Sequence, residues 1–178
     1  MKPFKILSKE LLVDSPFCRI EKQLVELPDG STADWYVSLN TDAVIVIPVL
    51  KDGSVILQQQ YKHGGGEIVT EFCAGMVDEG ETTTQAAARE LQEETGYTAE
   101  EFIHLKTVFS NPTGSRMKYH YFLAKNAELT SKPNLEPAEQ IELLQLPSLK
   151  AAREHLLKPE TLTTAGMIGA LSLVEPLL

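Results

Sequence analysis

The chain has 178 residues, 43% hydrophobic and 23% charged, which places it with ordinary globular proteins and outside the disordered and fibrous classes. Lys and Arg number 16 against 25 Asp and Glu, a formal net charge of −9 and an isoelectric point near 4.9, so the surface field repels a polyanion and argues against nucleic acid as a partner. The longest uncharged apolar run, Ala43–Leu50, contains Pro48 and is far too short to cross a bilayer, so no membrane partner is expected. The first residues lack the apolar stretch and small-residue cleavage site of a secretory leader, and a cytoplasmic location is expected. Cys18 and Cys73 lie far apart in no paired motif, and both read as small apolar fillers.

In chain order, β-compatible runs at 17–27 and 31–39 flank Pro28-Asp29-Gly30, whose fixed proline dihedral and permissive glycine predict a hairpin turn. A second hairpin is predicted from the nearly continuous apolar run at 43–50, the turn Lys51-Asp52-Gly53 and the strand at 54–61; these are core strands. Lys62-His63-Gly64-Gly65-Gly66 follows, either as a hairpin connection or as a loop that bends over a ligand. No Lys-Ser or Lys-Thr comes after the glycines, which excludes a P-loop. Residues 82–95 predict a helix, with Ala86, Ala87, Ala88 and Leu91 as helix formers, Thr82 and Gln85 as a capping box and Gly96 as the C-cap. Strands are predicted at 102–110 and 118–125, joined through Asn111-Pro112-Thr113-Gly114, and at 141–146. Two helices close the chain, one beginning near Ser148 and one near Thr161, the latter with Gly166 and Gly169 for close packing. Mixed strands around a strongly patterned central helix, with helices at the end, indicate an α/β or α+β fold.

The central helix carries the chemistry. Glu90, Glu93 and Glu94 stand at i, i+3 and i+4, which puts three carboxylates on one stripe, where their mutual repulsion weakens the helix. A hard divalent cation relieves that repulsion, and magnesium or manganese suits clustered carboxylate oxygens. Arg89, four residues before Glu93, is placed to orient or neutralise a carboxylate.

Gly75, Glu81, Arg89-Glu90-Leu91, Glu93-Glu94 and Gly96-Tyr97 are spaced as in the Nudix box, which the segment 75–97 resembles at every fixed position except that the last, usually aliphatic, is Tyr97. The resemblance implies a mixed β-sheet sandwiched between helices and hydrolysis of a nucleoside diphosphate linked to another moiety. It implies Glu90 and Glu94 as main metal ligands, Glu93 as a further ligand or helper and the backbone carbonyl of Ala74 completing the coordination. Glu81 then supports the box and Arg89 holds the acidic cluster. A catalytic or metal-binding Glu is implied on a later loop, where Glu139 matches best and Glu136 is second.

Gln60-Tyr61-Lys62, Glu71-Phe72-Cys73-Ala74-Gly75 and Pro112 resemble the branch of ADP-ribose pyrophosphatases and nucleoside diphosphate sugar hydrolases. In that branch an early β segment like residues 1–40 commonly joins a homodimer, leaving 41–178 as the catalytic domain. Lys62 stands where Arg is usual and Cys73 where Pro is usual, while Thr113 and Met117 depart from the loop of dedicated ADP-ribose enzymes. The wider class of nucleoside diphosphate sugars is therefore expected, ADP-ribose leading, with a nucleoside monophosphate and a sugar phosphate as products. A dinucleotide or modified nucleotide is the alternative substrate, and a non-catalytic nucleotide-sugar sensor the alternative class. Trp35 and Tyr36 are candidates to stack a base or to pack an interface, and Lys62 and Arg116 to contact phosphates.

Overall fold

The computed structural model describes residues 1–16 and 18–177, so the start of the predicted strand at Phe17 and the terminal Leu178 lie outside the described residues. The chain divides into two compact units, Met1–Asp42 with Val108–Lys118, and Ala43–Thr107 with residues 119–178.

The first unit is built on an antiparallel sheet of β1 (Lys5–Ser15), β2 (Cys18–Glu26) and β3 (Thr32–Ser38), in that order. Strands β2 and β3 meet at the predicted turn, where Gly30 takes φ 85° and its N–H donates to Leu27 O at 3.0 Å. Strand β1 was not anticipated as a separate element: shifts in its pairing between Ile6 and Ser8 and between Leu11 and Val13 break the two-residue alternation by which a strand is read from sequence. Loop 110–117 docks on β3, with Ser38 N–H donating to Gly114 O at 2.8 Å and Arg116 N–H to Ser38 O at 3.2 Å. Cys18 corrects an expectation: it is exposed beside the β1–β2 turn, where a hairpin end offers nothing to pack against, and is no apolar filler.

The second unit is a mixed eight-stranded sheet: β4 (Ala43–Leu50), β5 (Val55–Lys62), β6 (Glu67–Glu71), β7 (Cys73–Met76), β8 (Tyr97–Thr98), β9 (Glu101–Phe109), β10 (Lys118–Leu129) and β11 (Ile141–Leu146). The order β11-β5-β4-β10-β8 forms its spine, with β6 on β5, β7 on β4 and β9 on β10. Strand β4 runs parallel to β10 and is buried from Ala43 to Pro48, which explains its unbroken apolar sequence. Helix α1 (Thr83–Thr95) lays Ala86, Ala87 and Leu91 against Val44, Val46, Cys73, Phe122 and Ala124. Ile45 points the other way, toward α3 (Ala165–Val174), where Gly166 and Gly169 admit Ile45 and Tyr121 so closely that a Cβ would clash at 2.9 and 2.7 Å. Alternate residues of one strand thus meet helices on opposite faces, and the sheet is sandwiched as expected.

The helix α2 (Leu149–Leu156) begins where expected, with Ser148 as its N-cap. The last helix starts later than the predicted Thr161, because Thr164 is its N-cap and accepts from Met167 N–H. The glycine-rich segment after β5 is a tight hairpin turn, with Gly65 and Gly66 N–H both donating to Lys62 O, rather than a loop reaching over a ligand.

Candidate active site

Helix α1 begins where Thr82 and Gln85 exchange a reciprocal capping box and ends at Gly96, in the left-handed region at φ 77°. Between these caps the helix buries two acidic side chains, Glu90 at 9% and Glu94 at 3% exposure. Carboxylates so buried demand partners, and the structure supplies them in two sets.

The first set is organised by Arg89. Its Nε and Nη2 donate to Glu81 Oε1 and Oε2 at 3.1 and 3.0 Å, a two-pronged fork. Its Nη1 reaches Glu90 Oε1 at 2.8 Å and Glu93 Oε2 at 3.1 Å, and Nη2 also donates to Met76 O at 2.9 Å. The fork holds the Glu81 carboxyl below the usual range, and the same hydrogen bonds raise the Arg89 guanidinium further above its own. Arg89 is therefore the counter-charge of the acidic stripe, as its spacing predicted.

The second set surrounds Glu94. Its Oε2 accepts Ala74 N–H at 3.1 Å and Gln58 Nε2–H at 3.2 Å, and the Cys73 thiol bonds the same carboxylate. Burial nevertheless outweighs these donors and pushes the Glu94 carboxyl up to about 7, with the Glu90 charge adding to the rise. Burial likewise raises Glu90, against the pull of Arg89, and raises the Cys73 thiol. A Cβ on Gly75 would lie 2.0 Å from Glu90 Cδ, so the glycine is the only residue that lets this carboxylate rest on the backbone of β7.

Among the described residues no three His, Cys, Asp or Glu side chains already converge around one point. The donor set still fits a hard divalent cation: carboxylate oxygens of Glu90, Glu93 and Glu94 share one helix face beside the backbone of Ala74 and the Gly75 cradle.

Glu139 closes a turn in which it accepts Glu136 N–H at 2.9 Å, while its own N–H donates to Glu136 O. Its charge contributes to the raised pKa of Glu90, so the structure brings it into electrostatic range of the box; Glu136 is exposed. The preceding segment is anchored on the end of α1 by Thr130 and Ser131 N–H to Gly96 O and Asn134 N–H to Glu93 O. Lys62 spends its ammonium within the protein, 2.7 Å from the buried Glu71 Oε1 and in contact with Gln60 Oε1.

Trp35 and Arg116 belong to the first unit, where with Phe4, Gln23 and Pro112 they line a cavity of about 520 Å³. Trp35 packs edge-on to Phe4 at 5.8 Å and donates Nε1–H to Thr113 O at 2.8 Å, while Tyr36 points to the opposite face and is exposed. Arg116 lies 3.7 Å from Glu21. Sequence reasoning missed Gln58, the first of three consecutive glutamines that follow Val55, Ile56 and Leu57 in β5.

Comparison with known proteins places the chain among relatives. Residues 39–165 match the NUDIX domain, and residues 4–38 match the nucleoside diphosphate sugar hydrolase N-terminal domain. The chain is 33% identical over 181 residues to an ADP-sugar pyrophosphatase of Mus musculus, covering 93% of this chain and 78% of the relative. It is 29% identical over 143 residues to an ADP-ribose pyrophosphatase of Bacillus subtilis, covering 80% and 77%. A solved structure described as an ADP compounds hydrolase superposes with a TM-score of 0.85 at 26% identity, covering 100% of this chain and 95% of the other. With its box matched from Gly75 to Gly96 and the domain match spanning most of its length, the chain belongs to the Nudix family of hydrolases.

Proposed function

We propose that the protein hydrolyses the diphosphate bond of a nucleoside diphosphate sugar, ADP-ribose the leading candidate, to a nucleoside monophosphate and a sugar phosphate. The observation that carries this reading is the acidic face of α1, held by Arg89 and cradled by Gly75, in a chain whose residues 4–38 match the nucleoside diphosphate sugar hydrolase N-terminal domain. Relatives named for ADP-ribose and ADP-sugars support the substrate class.

In the reaction, water attacks one phosphorus of the anhydride, the bridging oxygen leaves with the other phosphate, and the proton of the attacking water passes to a base. Glu139 is the proposed base, a reading supported by the contribution of its charge to the raised pKa of Glu90. Magnesium or manganese, when bound by Glu90, Glu93, Glu94 and the Ala74 carbonyl, supplies neutralisation of the diphosphate charge. Arg89 keeps the glutamates in place, and Glu81 keeps Arg89 in place. In the first unit, Trp35 offers a face to the base and Arg116 a guanidinium to a phosphate, both on the 520 Å³ cavity. Lys62 acts on the substrate only by exchanging its ion pair with Glu71, and so serves first to balance that buried charge.

A homodimer and a cytoplasmic location are part of the proposal. The dimer is supported by β1, which exposes Ile6, Leu7, Leu11, Leu12 and Val13 along its length.

The test is release of nucleoside monophosphate from ADP-ribose, ADP-glucose, UDP-glucose, GDP-mannose and a dinucleotide, each with magnesium and with chelator. Metal-dependent turnover of one sugar substrate is expected. Turnover of the dinucleotide alone overturns the substrate class, and tight binding without turnover of any compound overturns the enzyme in favour of a sensor.

A further inference from the structure

Gln58 is the first of three glutamines in β5 and the most deeply buried of them. Its neighbours Val55, Ile56 and Leu57 are core, and Gln58 itself is fully buried in their company. An amide costs more to bury there than a Leu or Met of similar volume, unless both its ends find partners. One end does: Nε2–H donates to Glu94 Oε2 at 3.2 Å. The other, Oε1, has no hydrogen-bond partner among the described residues. A side chain kept for packing alone would not carry that cost, and a half-satisfied buried amide calls for an explanation outside packing.

The explanation lies in what the satisfied end holds. Glu94 Oε2 receives a second donor, Ala74 N–H at 3.1 Å, whose place is fixed because Ala74 pairs with Ile45 in the sheet. Two donors from different strands, β5 and β7, therefore converge on the same oxygen of the same carboxylate. A single hydrogen bond leaves a carboxylate free to rotate about its last torsion, whereas two donors from fixed strands restrict which oxygen turns inward. Cys73, next to Ala74, adds its thiol to the same group.

We propose that Gln58 is a positioning residue for the metal site: its amide, with the Ala74 N–H, anchors one oxygen of Glu94 so that the carboxylate is oriented for a divalent cation before the cation arrives. The inference rests on the reading of Glu94 as a metal ligand. Groups that orient a ligand in this way typically change metal affinity by about 10–100-fold when lost.

The test is equilibrium binding of Mn²⁺ without substrate, followed by the paramagnetic resonance signal of the free ion, in wild type, Gln58→Met, Gln58→Leu and Glu90→Gln. Thermal midpoints are measured in chelator alongside. Gln58→Met and Gln58→Leu are expected to weaken Mn²⁺ binding about tenfold or more, in proteins that still melt cooperatively without metal, since the loss of one donor to Glu94 is offset by the removal of an unsatisfied amide. In kinetics the metal concentration for half-maximal rate rises, and the rate at saturating metal is largely kept. Mn²⁺ affinity within twofold of wild type in either folded variant overturns the inference, as does a failure of both variants to fold, which would make Gln58 a residue of the core alone. Glu90→Gln separates the two levels. If it weakens Mn²⁺ binding while the Gln58 variants do not, only the role of Gln58 falls; if it too leaves binding unchanged, the metal-site reading itself is overturned.

Discussion

Replacing Glu94 by Gln tests the electrostatics of the site without reference to substrate. In the folded, metal-free protein burial holds the Glu94 carboxyl at about 7 against an ordinary 4.5. The folded chain therefore keeps a proton that the unfolded chain releases as pH rises from 4.5 to 7, and stability falls across that window and stays low above it. The gap corresponds to about 3 kcal/mol, or on the order of 6–12 °C in melting temperature for a chain of this size. Gln occupies the same space, carries no charge, and can still accept Ala74 N–H through its carbonyl oxygen. In chelator at pH 8, Glu94→Gln is thus expected to be more stable than wild type by up to about 3 kcal/mol, with the difference reduced to about a quarter of that at pH 5. Saturating magnesium stabilises wild type and not the variant, narrowing the gap, and the variant loses turnover. Urea unfolding at pH 5 and pH 8, each with chelator and with magnesium, gives the four comparisons. Parallel pH profiles for the two proteins in chelator would refute the reasoning.

Other substitutions address separate parts of the arrangement. Gly75→Ala places a Cβ 2.0 Å from Glu90 Cδ, so the carboxylate must leave the backbone; Mn²⁺ titration should show lost affinity in a protein that still melts cooperatively. Arg89→Ala leaves Glu81, Glu90 and Glu93 facing one another and should cost about 2 kcal/mol in chelator, part of which magnesium restores because a cation can replace the guanidinium charge; no response to magnesium in the denaturation midpoint would count against that picture. Trp35→Ala removes the aromatic wall of the first-unit cavity and is expected to raise KM about tenfold, the scale of one stacked base, with kcat little changed. An unaltered KM would assign Trp35 to packing against Phe4.

Helix α1 was legible because each of its signals is local: capping box, alanine run, C-cap glycine and carboxylate spacing all fall within 15 residues, and all agree. The core hairpin of β4 and β5 was legible for the same reason. Strand β1 was not, because its two pairing irregularities move apolar residues onto alternate faces. Strands β6 and β7 are short, and their pairing with β5 and β4 is set by distant partners that no local pattern announces. Spacing showed that Arg89 could reach Glu93, but not that one guanidinium also spans Glu81, Glu90 and the carbonyl of Met76, since that depends on how β7 approaches the helix. Lys62 read as a phosphate contact because its partner Glu71 is adjacent only through the β5–β6 hairpin. The cradle around Glu94 draws Gln58 from 36 residues away, beyond any motif.

The two cysteines sit in opposite environments, Cys18 exposed and Cys73 within the core beside Glu94. A thiol reagent added to the native protein should consequently modify one site per chain at once, giving a selective attachment point for a reporter on the first unit. Reaction of the second thiol must wait until β7 parts from β4, so its slow phase is a clock for local opening of the sheet that carries Ala74 and Gly75. The slowing of that clock by magnesium would measure how much the cation locks the sheet, with no substrate and no substitution required.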